Sequence, residues 1–337
     1  MYRRLPVYLL LDTSESMAGE PLDRVEAGVA TMVNSLKRNP YALDTVHMCV
    51  ITFDAKARVV TPLTDIGNVK PPILSIKPGT SLGAALDLLG QSIEKNLVKN
   101  TAETKGDYKP LVFILTDGQP TDDWTSAVSK LKNVTPHVAT IYGIGCGDEV
   151  DFETLSKIAD VCFHVKDLNS DGIGKLFVWL TASVQSNSKS PDQKVSLEKT
   201  IPLEKGMELV ESPPAFSGQK SRLFIHIFCR NTKKPYMVIY RLIPELGQYF
   251  SDQALPLPDD FFSDGAKKSS PINEEQLLNV PPCPFCQSEG FAKCGFCKNL
   301  FCVDSDSSDS VITCPACETK LSPSESGGSI NIDGSAG

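Results

Sequence analysis

Residues 1–187 predict an α/β domain built on a doubly wound, mostly parallel sheet with one antiparallel edge strand. Three observations carry that expectation. Short apolar runs alternate with helical periodicity along the whole segment. The runs 7–11 and 111–115 are almost continuously apolar, as strands covered on both faces must be. Both then end in a carboxylate, Asp12 and Asp117, followed by turn-forming residues.

Strands are expected at 6–12, 45–54, 57–62, 110–116, 137–144 and 161–165, where β-branched and aromatic residues cluster between breakers. Helices are expected at 21–38, 81–97, 123–132, 151–159 and 170–186, where apolar residues recur at spacings of three and four. The runs 46–53 and 57–61 are separated by so few residues that they read as a hairpin, which supplies the antiparallel edge. A polar Ser/Asn/Lys/Pro stretch at 187–193 closes the domain. Beyond it, 195–201, 223–228 and 236–242 read as strands without intervening helices, so 194–257 is expected to be a small β-rich extension. The composition of 258–282 suggests a linker with one helical turn at 274–278. The segment 283–320 is a cysteine-rich zinc-ribbon candidate, and 321–337 is a Ser/Gly-rich tail expected to be disordered.

The chain has 337 residues, 41% hydrophobic and 22% charged, enough for two or three soluble domains. A net charge of -8 argues against a general nucleic-acid or anionic-membrane binder, since phosphate binding needs basic surface to displace counterions. Met1-Tyr-Arg-Arg before an apolar run imitates a signal peptide, but the run stops at Asp12 and has no small-residue cleavage site. No apolar stretch approaches the ~20 residues that span a bilayer. With cysteines spaced as metal-binding pairs, the expected location is the cytoplasm.

Asp12-Thr-Ser14-Glu-Ser16 follows the first strand directly. A carboxylate and two hydroxyls spaced by two can aim hard oxygens at one point beyond a sheet edge, as Mg²⁺ requires, or the same residues can cap the following helix. Two further segments favour the metal reading. Thr80 lies on the glycine-bearing loop Pro78-Gly79-Thr80-Ser81-Leu-Gly83 just before a helix start, and Asp117 ends the second buried strand. Ligands of open parallel sheets gather beyond the carboxyl ends of the strands, where Asp12 and Asp117 can face each other.

The order D-x-S-x-S, G-T-x-L-G and T-D-G resembles the von Willebrand factor A domain and its metal-ion-dependent adhesion site. The stretches LPVYLLLDTSESM, VITFDA, KPLVFILTDGQPTDDW and IYGIGCG are similar to the TerY group of bacterial proteins, linked by family to tellurium resistance and stress response. That resemblance covers residues 1 to about 186, and the cysteine-rich end is similar to the group's metal-binding tail. It implies Mg²⁺ (or Mn²⁺) with Ser14, Ser16 and Thr80 as neutral oxygen ligands, and with Asp12 and Asp117 holding coordinated waters. One departure stands out: family members often carry Gly where this chain has Glu15. Glu15 can tighten metal binding, repel an acidic ligand or point into solvent, and solvent is the expectation because Glu is rarely buried unpaired.

Cys49, Cys146, Cys162 and Cys229 are scattered in apolar surroundings and read as inert buried thiols. Cys283, Cys286, Cys294, Cys297, Cys302, Cys314 and Cys317 read instead as zinc ligands, since C-x-x-C turns let two thiolates grip one tetrahedral ion. The simplest ribbon shares one Zn²⁺ among Cys283, Cys286, Cys314 and Cys317, which leaves three cysteines, one short of a second site. The alternative pairs the first two knuckles and leaves Cys302, Cys314 and Cys317. Spacing does not choose between them. Either way metal would supply the folding free energy of so small a domain. The loop from Asp304 to Ser310 reads as solvated, with a regulatory phosphorylation strip as the sharper alternative.

The function expected is a non-enzymatic, metal-dependent adaptor. Mg²⁺ with mostly neutral ligands and an open position would seek an Asp or Glu of a partner protein. The resemblance places it in tellurite or chemical-stress response, with an associated protein kinase and phosphatase as candidate partners. A Mg²⁺-dependent hydrolase is the first alternative, weakened because no histidine falls within the three metal segments and Asp122, Asp123 or Glu15 would have to serve as base. A zinc-ribbon subunit of a nucleic-acid-handling complex is the second, weakened by the acidic balance.

Overall fold

The computed structural model describes residues 3–101, 105–134, 139–147, 149–166, 172–189, 202–204, 206–211, 221–262, 271–304, 311–321 and 331–333. Two units, Met1–Ser217 and Gly218–Gly337, each have their own set of contacts.

In the first unit the chain runs β1 (Leu5–Asp12), α1 (Glu20–Lys37), α2 (Pro40–Thr45), β2 (Val46–Phe53), β3 (Ala57–Asp65), α3 (Leu82–Asn96), β4 (Leu111–Thr116), α4 (Trp124–Val134), β5 (Thr140–Cys146), α5 (Phe152–Ile158), β6 (Val161–Val165), α6 (Gly172–Lys189) and β7 (Met207–Leu209). They form a seven-stranded sheet in the order β3-β2-β1-β4-β5-β6-β7. The pairs β1–β2, β1–β4, β4–β5 and β5–β6 are parallel, and β2–β3 is antiparallel. The doubly wound sheet with an antiparallel edge is therefore as the sequence pattern predicts. The strand order reverses at β1, so the loops after β1 and β4 diverge to opposite faces and open a crevice between them.

Central strands β1 and β4 are buried along their whole length, which is why they read as unbroken apolar runs. One face packs Tyr8, Leu10, Ile51, Phe53, Val112 and Ile114 against Leu82, Leu86 and Leu89 of α3 and Leu131 of α4. Two elements were not foreseen. α2 is only six residues long and is set by Asn39, whose side chain accepts from the Ala42 N–H, with Pro40 at its first position. β7 adds a second antiparallel edge against β6, with Phe163 opposite Leu209, and three residues carry too little alternation to be recognised.

In the second unit β8 (Arg222–Phe228), β9 (Pro235–Ile243), β10 (Gln248–Pro256), β11 (Pro271–Asn273), β12 (Leu277–Leu278), β13 (Gly290–Lys293), β14 (Leu300–Val303), β15 (Ile312–Thr313), β16 (Lys320–Leu321) and β17 (Asn331–Asp333) follow one another. A six-stranded sheet has the order β12-β10-β9-β8-β14-β13. This corrects the expected division into a β extension, a linker and a separate ribbon. β14 of the cysteine-rich segment pairs in parallel with β8 of the extension, and β12, inside the expected linker, pairs with β10. Within the expected disordered tail, β17 pairs with β11. The expected helical turn is present as a 3-10 turn at Glu274–Gln276. The strand expected at 195–201, and all but Asp304 of the loop reaching Ser310, lie outside the described residues. Among the described residues no helix is long and apolar enough to cross a membrane.

Helices α1 and α6 pack closely because Gly28 leaves room for a ring: a methyl group there would overlap the aromatic carbons of the buried Phe177. Gly28→Ala is therefore expected to cost about 1–3 kcal/mol through overpacking. A lowered midpoint of thermal unfolding, with no change in metal content, would show it; an unchanged midpoint would contradict this packing.

Candidate metal centres

The first centre lies at the carboxyl ends of β1 and β4. After Asp12 the chain turns sharply: the Ser14 N–H donates to Asp12 Oδ1 at 2.9 Å, and Thr13 N–H bonds the Phe53 carbonyl. Glu15–Met17 then forms one 3-10 turn, and Ser14 at its N-cap makes no side-chain cap bond. Gly19, not Asp12, Ser14 or Ser16, caps α1. The helix-cap reading of this string is thus set aside, and the hydroxyls are left for other work.

Ser16 Oγ donates to Asp117 Oδ1 at 2.6 Å and lies 2.8 Å from Ser14 Oγ. A hydroxyl carries one proton, so Ser14 must donate to Ser16. Thr116 Oγ1 donates to Asp12 Oδ2 at 2.6 Å. A methyl group built on Gly118 would lie 3.8 Å from Ser16 Oγ and 3.9 Å from Thr80 Oγ1, so these hydroxyls face one small space. Asp12 and Asp117 are fully buried and Ser14, Ser16 and Thr80 nearly so. Burial, together with the charge of Asp117, raises the Asp12 carboxyl to about 7 despite its hydrogen bonds. Two carboxylates buried among hydroxyls form an oxygen set short of positive charge, which a small hard cation would relieve.

Loop chemistry holds Thr80 in place. Its N–H donates to Thr121 Oγ1 at 3.0 Å while the Thr121 N–H donates to the Thr80 carbonyl at 2.9 Å. Asp122 accepts from the Gly83 and Ala84 N–H groups, both at 2.9 Å, and so caps α3 from the neighbouring loop. A Cβ at Gly83 would come within 2.7 Å of the Asp123 carbonyl oxygen, and Gly79 has φ of 89° beside Ala55. Both glycines of the G-T-x-L-G string are therefore steric necessities of this clasp.

Glu15 corrects an expectation. It is 6% exposed, not directed into solvent, and adds a second acidic residue to the buried string beside the hydroxyls. Asp123, held near 2 by the Thr125 and Ser126 hydroxyls and the Ser126 and Thr125 N–H groups, is exposed. Cys146 is buried, and its thiol is pushed well up by burial and by Asp117 and Asp12. Burial likewise raises Cys49 to about 12 and Cys162 to about 11, as inert thiols require.

Cys229 is the second correction. The eight sulfurs form two clusters, Cys229, Cys283, Cys286 and Cys302, and Cys294, Cys297, Cys314 and Cys317, each with its sulfurs within 4.8 Å of one another. Neither expected pairing is present. The groups interleave, because the second knuckle and Cys302 belong to different clusters. Sulfur separations of 3.4 Å (Cys286–Cys302), 3.7 Å (Cys294–Cys317) and 3.7 Å (Cys297–Cys314) approach the ~3.8 Å edge of a tetrahedron with ~2.3 Å zinc–sulfur bonds. The donor set therefore fits one tetrahedral soft ion per cluster.

Four turns share one geometry. In each, the N–H of the first cysteine donates to the carbonyl five residues on, and the N–H four residues on donates back: Cys229/Lys234 with Lys233, Cys283/Ser288 with Gln287, Cys294/Asn299 with Lys298, and Cys314/Thr319 with Glu318. Lys233, Gln287, Lys298 and Glu318 all adopt positive φ, between 61° and 67°. Three turns close hairpins at the same place, since Phe228 pairs with Pro235, Lys293 with Leu300 and Thr313 with Lys320. Cys229-Arg-Asn-Thr232 is thus a knuckle with threonine at the second ligand position, and Cys302 supplies the missing thiol. The clue was present in the sequence as a cysteine directly after one strand pattern, 223–228, and seven residues before the next, 236–242. Backbone N–H groups of Thr232 and Arg230 donate to the Cys229 and Cys302 sulfurs at 3.4 and 3.2 Å and orient them. Thr319, through its hydroxyl and backbone, holds the Cys317 thiol down to about 6.

An α/β sheet with oxygens converging at its switch point, followed by a unit carrying two thiol clusters that could hold metal, defines a two-part protein with candidate metal centres in both parts. The chain belongs to the von Willebrand factor type A domain family, which matches residues 7–176, and the TerY-C metal binding domain matches 221–337. An uncharacterized protein of Synechocystis is 28% identical over 167 residues, 47% of this chain and 36% of that protein. A von Willebrand factor A domain-containing protein of Dictyostelium discoideum is 26% identical over 177 residues, 48% of this chain and 18% of that protein. The match thus spans about a third of one relative and less than a fifth of the other. Among solved structures, a von Willebrand factor type A protein from Catenulispora acidiphila aligns with a TM-score of 0.42 and 19% identity, over 54% of this chain and 43% of that one.

Cys229→Ser should remove one metal equivalent per chain, leaving the second cluster loaded. Elemental analysis of purified full-length protein checks this; retention of the wild-type content would return Cys229 to the class of inert thiols.

Proposed function

We propose that this protein is a metal-dependent adaptor in which Mg²⁺, or Mn²⁺, at the first centre captures an acidic side chain of a partner protein. The observation that carries it is the convergence of Ser14, Ser16 and Thr80 with Asp12 and Asp117 on one small space at the sheet's switch point. The hydroxyls would ligate the ion directly, with the carboxylates acting through water. When bound, the ion supplies an electrophilic position for a carboxylate oxygen. The chain's own residues orient that position: Thr116 and the Ser14 N–H fix Asp12, Ser16 fixes Asp117, and the Thr121 clasp fixes Thr80.

Von Willebrand factor type A domains are generally interaction modules, and the placement of the acids supports the same reading here. Asp122 is committed to capping α3, and Asp123 accepts from Thr125 and Ser126 at the start of α4. Among the described histidines, His164 bonds the Gly147 carbonyl, His47 contacts the Thr45 carbonyl, and His226 packs tilted against Phe261 and edge-on to Phe262. Asp122, Asp123 and these histidines are thus engaged elsewhere and are not placed to serve as the base a hydrolase would need. The two thiol clusters would hold structural Zn²⁺, with their four protein ligands leaving no coordination site open. The TerY-type architecture points to chemical-stress response in the cytoplasm, with an associated kinase or phosphatase as a candidate partner.

Loading Mg²⁺ to about a hundred times its dissociation constant should add about 2.7 kcal/mol to the stability of the first unit. The midpoint of unfolding should then rise by roughly 5–10 °C. Asp117→Asn keeps an acceptor for Ser16 but removes the like charge beside Asp12. That variant should melt higher than the parent without metal and lose the Mg²⁺ increment. The functional test is retention of a physiological partner in Mg²⁺ and its release by chelator or by Asp12→Ala with Ser14→Ala; retention unaffected by all three would refute the reading.

A further inference from the structure

Ile73 is 88% exposed, more than any other large hydrophobic residue described, while its neighbours Leu74 and Ile76 are each only 7% exposed. The segment that presents it is fixed at several points. Ile66 and Val69 are buried, the Leu74 N–H donates to Glu26 Oε2 of α1 at 2.6 Å, and the Lys77 N–H donates to the Thr13 carbonyl at 3.1 Å. The same segment continues through Gly79 to the metal-site residue Thr80. Ile73 is thus held outward by a loop anchored to the Asp12-Thr-Ser14 turn itself. Four residues of chain span at most ~14 Å, which keeps Ile73 within roughly 20 Å of the centre. Lys70 is exposed on the same loop.

On the proposed reading, an apolar side chain left in water on the loop that leads into the metal centre has a specific use. A partner segment whose acid sits on the metal must run across the surrounding surface, and an aliphatic group at the right spacing would cover Ile73. We propose that Ile73 is the apolar specificity contact of the metal centre. The partner it fits is a protein segment carrying an Asp or Glu and, within about six extended residues, a Leu, Ile, Met or Phe side chain. Lys70 favours acidic character in the intervening residues. This inference rests on the metal-dependent reading and adds a second, metal-independent determinant to it.

The test uses full-length protein and a phage-displayed peptide library with one fixed Asp and randomised flanks, panned in millimolar MgCl₂. Selected peptides should share an apolar residue at one spacing from the acid. Ile73→Ser should weaken binding of a selected peptide by about 10- to 100-fold, whereas Ile73→Leu should preserve it. Both variants should keep the parental Mg²⁺-induced rise in unfolding midpoint, which separates loss of contact from loss of metal. Peptides selected for the acid alone, or bound equally by Ile73→Ser, would overturn the role of Ile73 and leave the metal reading intact. Peptide binding that persists in chelator would overturn the metal reading and this inference together.

Discussion

Two carboxylates, Asp12 and Asp117, lie fully buried at one edge of the sheet with hydroxyls around them, and much of the first unit serves to keep them there. Burying like charges near each other is unfavourable, as the raised Asp12 carboxyl records. The arrangement persists because the strands that end in these residues are central and apolar throughout. Their carboxyl ends cannot separate without breaking the core packed on α3 and α4. Helix caps and glycine turns then bring the third segment to them: Asp122 reaches α3, and Gly79 and Gly83 allow the loops to touch. The site is thus paid for by the fold, and a divalent ion would offset part of the cost.

The second unit is governed by a different constraint. Four knuckle turns each hold a non-glycine residue at positive φ, a conformation that costs on the order of 1 kcal/mol without compensation. Each turn gives in return a cysteine whose sulfur converges with three others. Because the clusters interleave along the chain, Cys229 and Cys302 tie β8 to β14, while Cys294, Cys297, Cys314 and Cys317 tie the β15–β16 hairpin to the β13–β14 hairpin. Lys233 and Glu318, residues of two such turns from different clusters, are bridged at 2.8 Å. That pair is exposed and contributes little by itself.

The first unit's sheet was legible because strands buried on both faces are apolar without interruption and their breakers are abrupt. Asp12 and Asp117 fall at those breaks, and Ser14 and Ser16 follow directly, so these candidate ligands stand out from the apolar pattern. α2 and β7 were not legible: six residues set by one cap and three residues of edge strand lie below what periodicity resolves. Glu15 was misread because a burial rule for isolated glutamates does not anticipate a turn that folds Glu15, Ser16 and Met17 inward together. Cys229 was misread because a lone cysteine in an apolar strand resembles a core thiol. Its partners lie more than fifty residues away, and the convergence of the sulfurs together with the shared turn geometry identifies it. The same long-range pairing made the extension and the ribbon look like separate domains.

The clustered donors differ between the units, with oxygens converging in the first and thiols in the second, and on the proposed reading this would let one chain hold two kinds of metal. The first centre offers hydroxyl and carboxylate oxygens, which suit Mg²⁺ or Mn²⁺; the clusters offer only thiols, which suit Zn²⁺. Cys146 feels the charges of Asp117 and Asp12, and burial together with those charges pushes its thiol well up, which disfavours the thiolate a soft ion would need. A thiol cluster with four protein ligands is closed, and its free energy goes into folding. An oxygen centre with few direct ligands stays open, and its free energy remains available for a partner. On the proposed reading, the division between a structural and a ligand-binding metal would follow from donor chemistry alone.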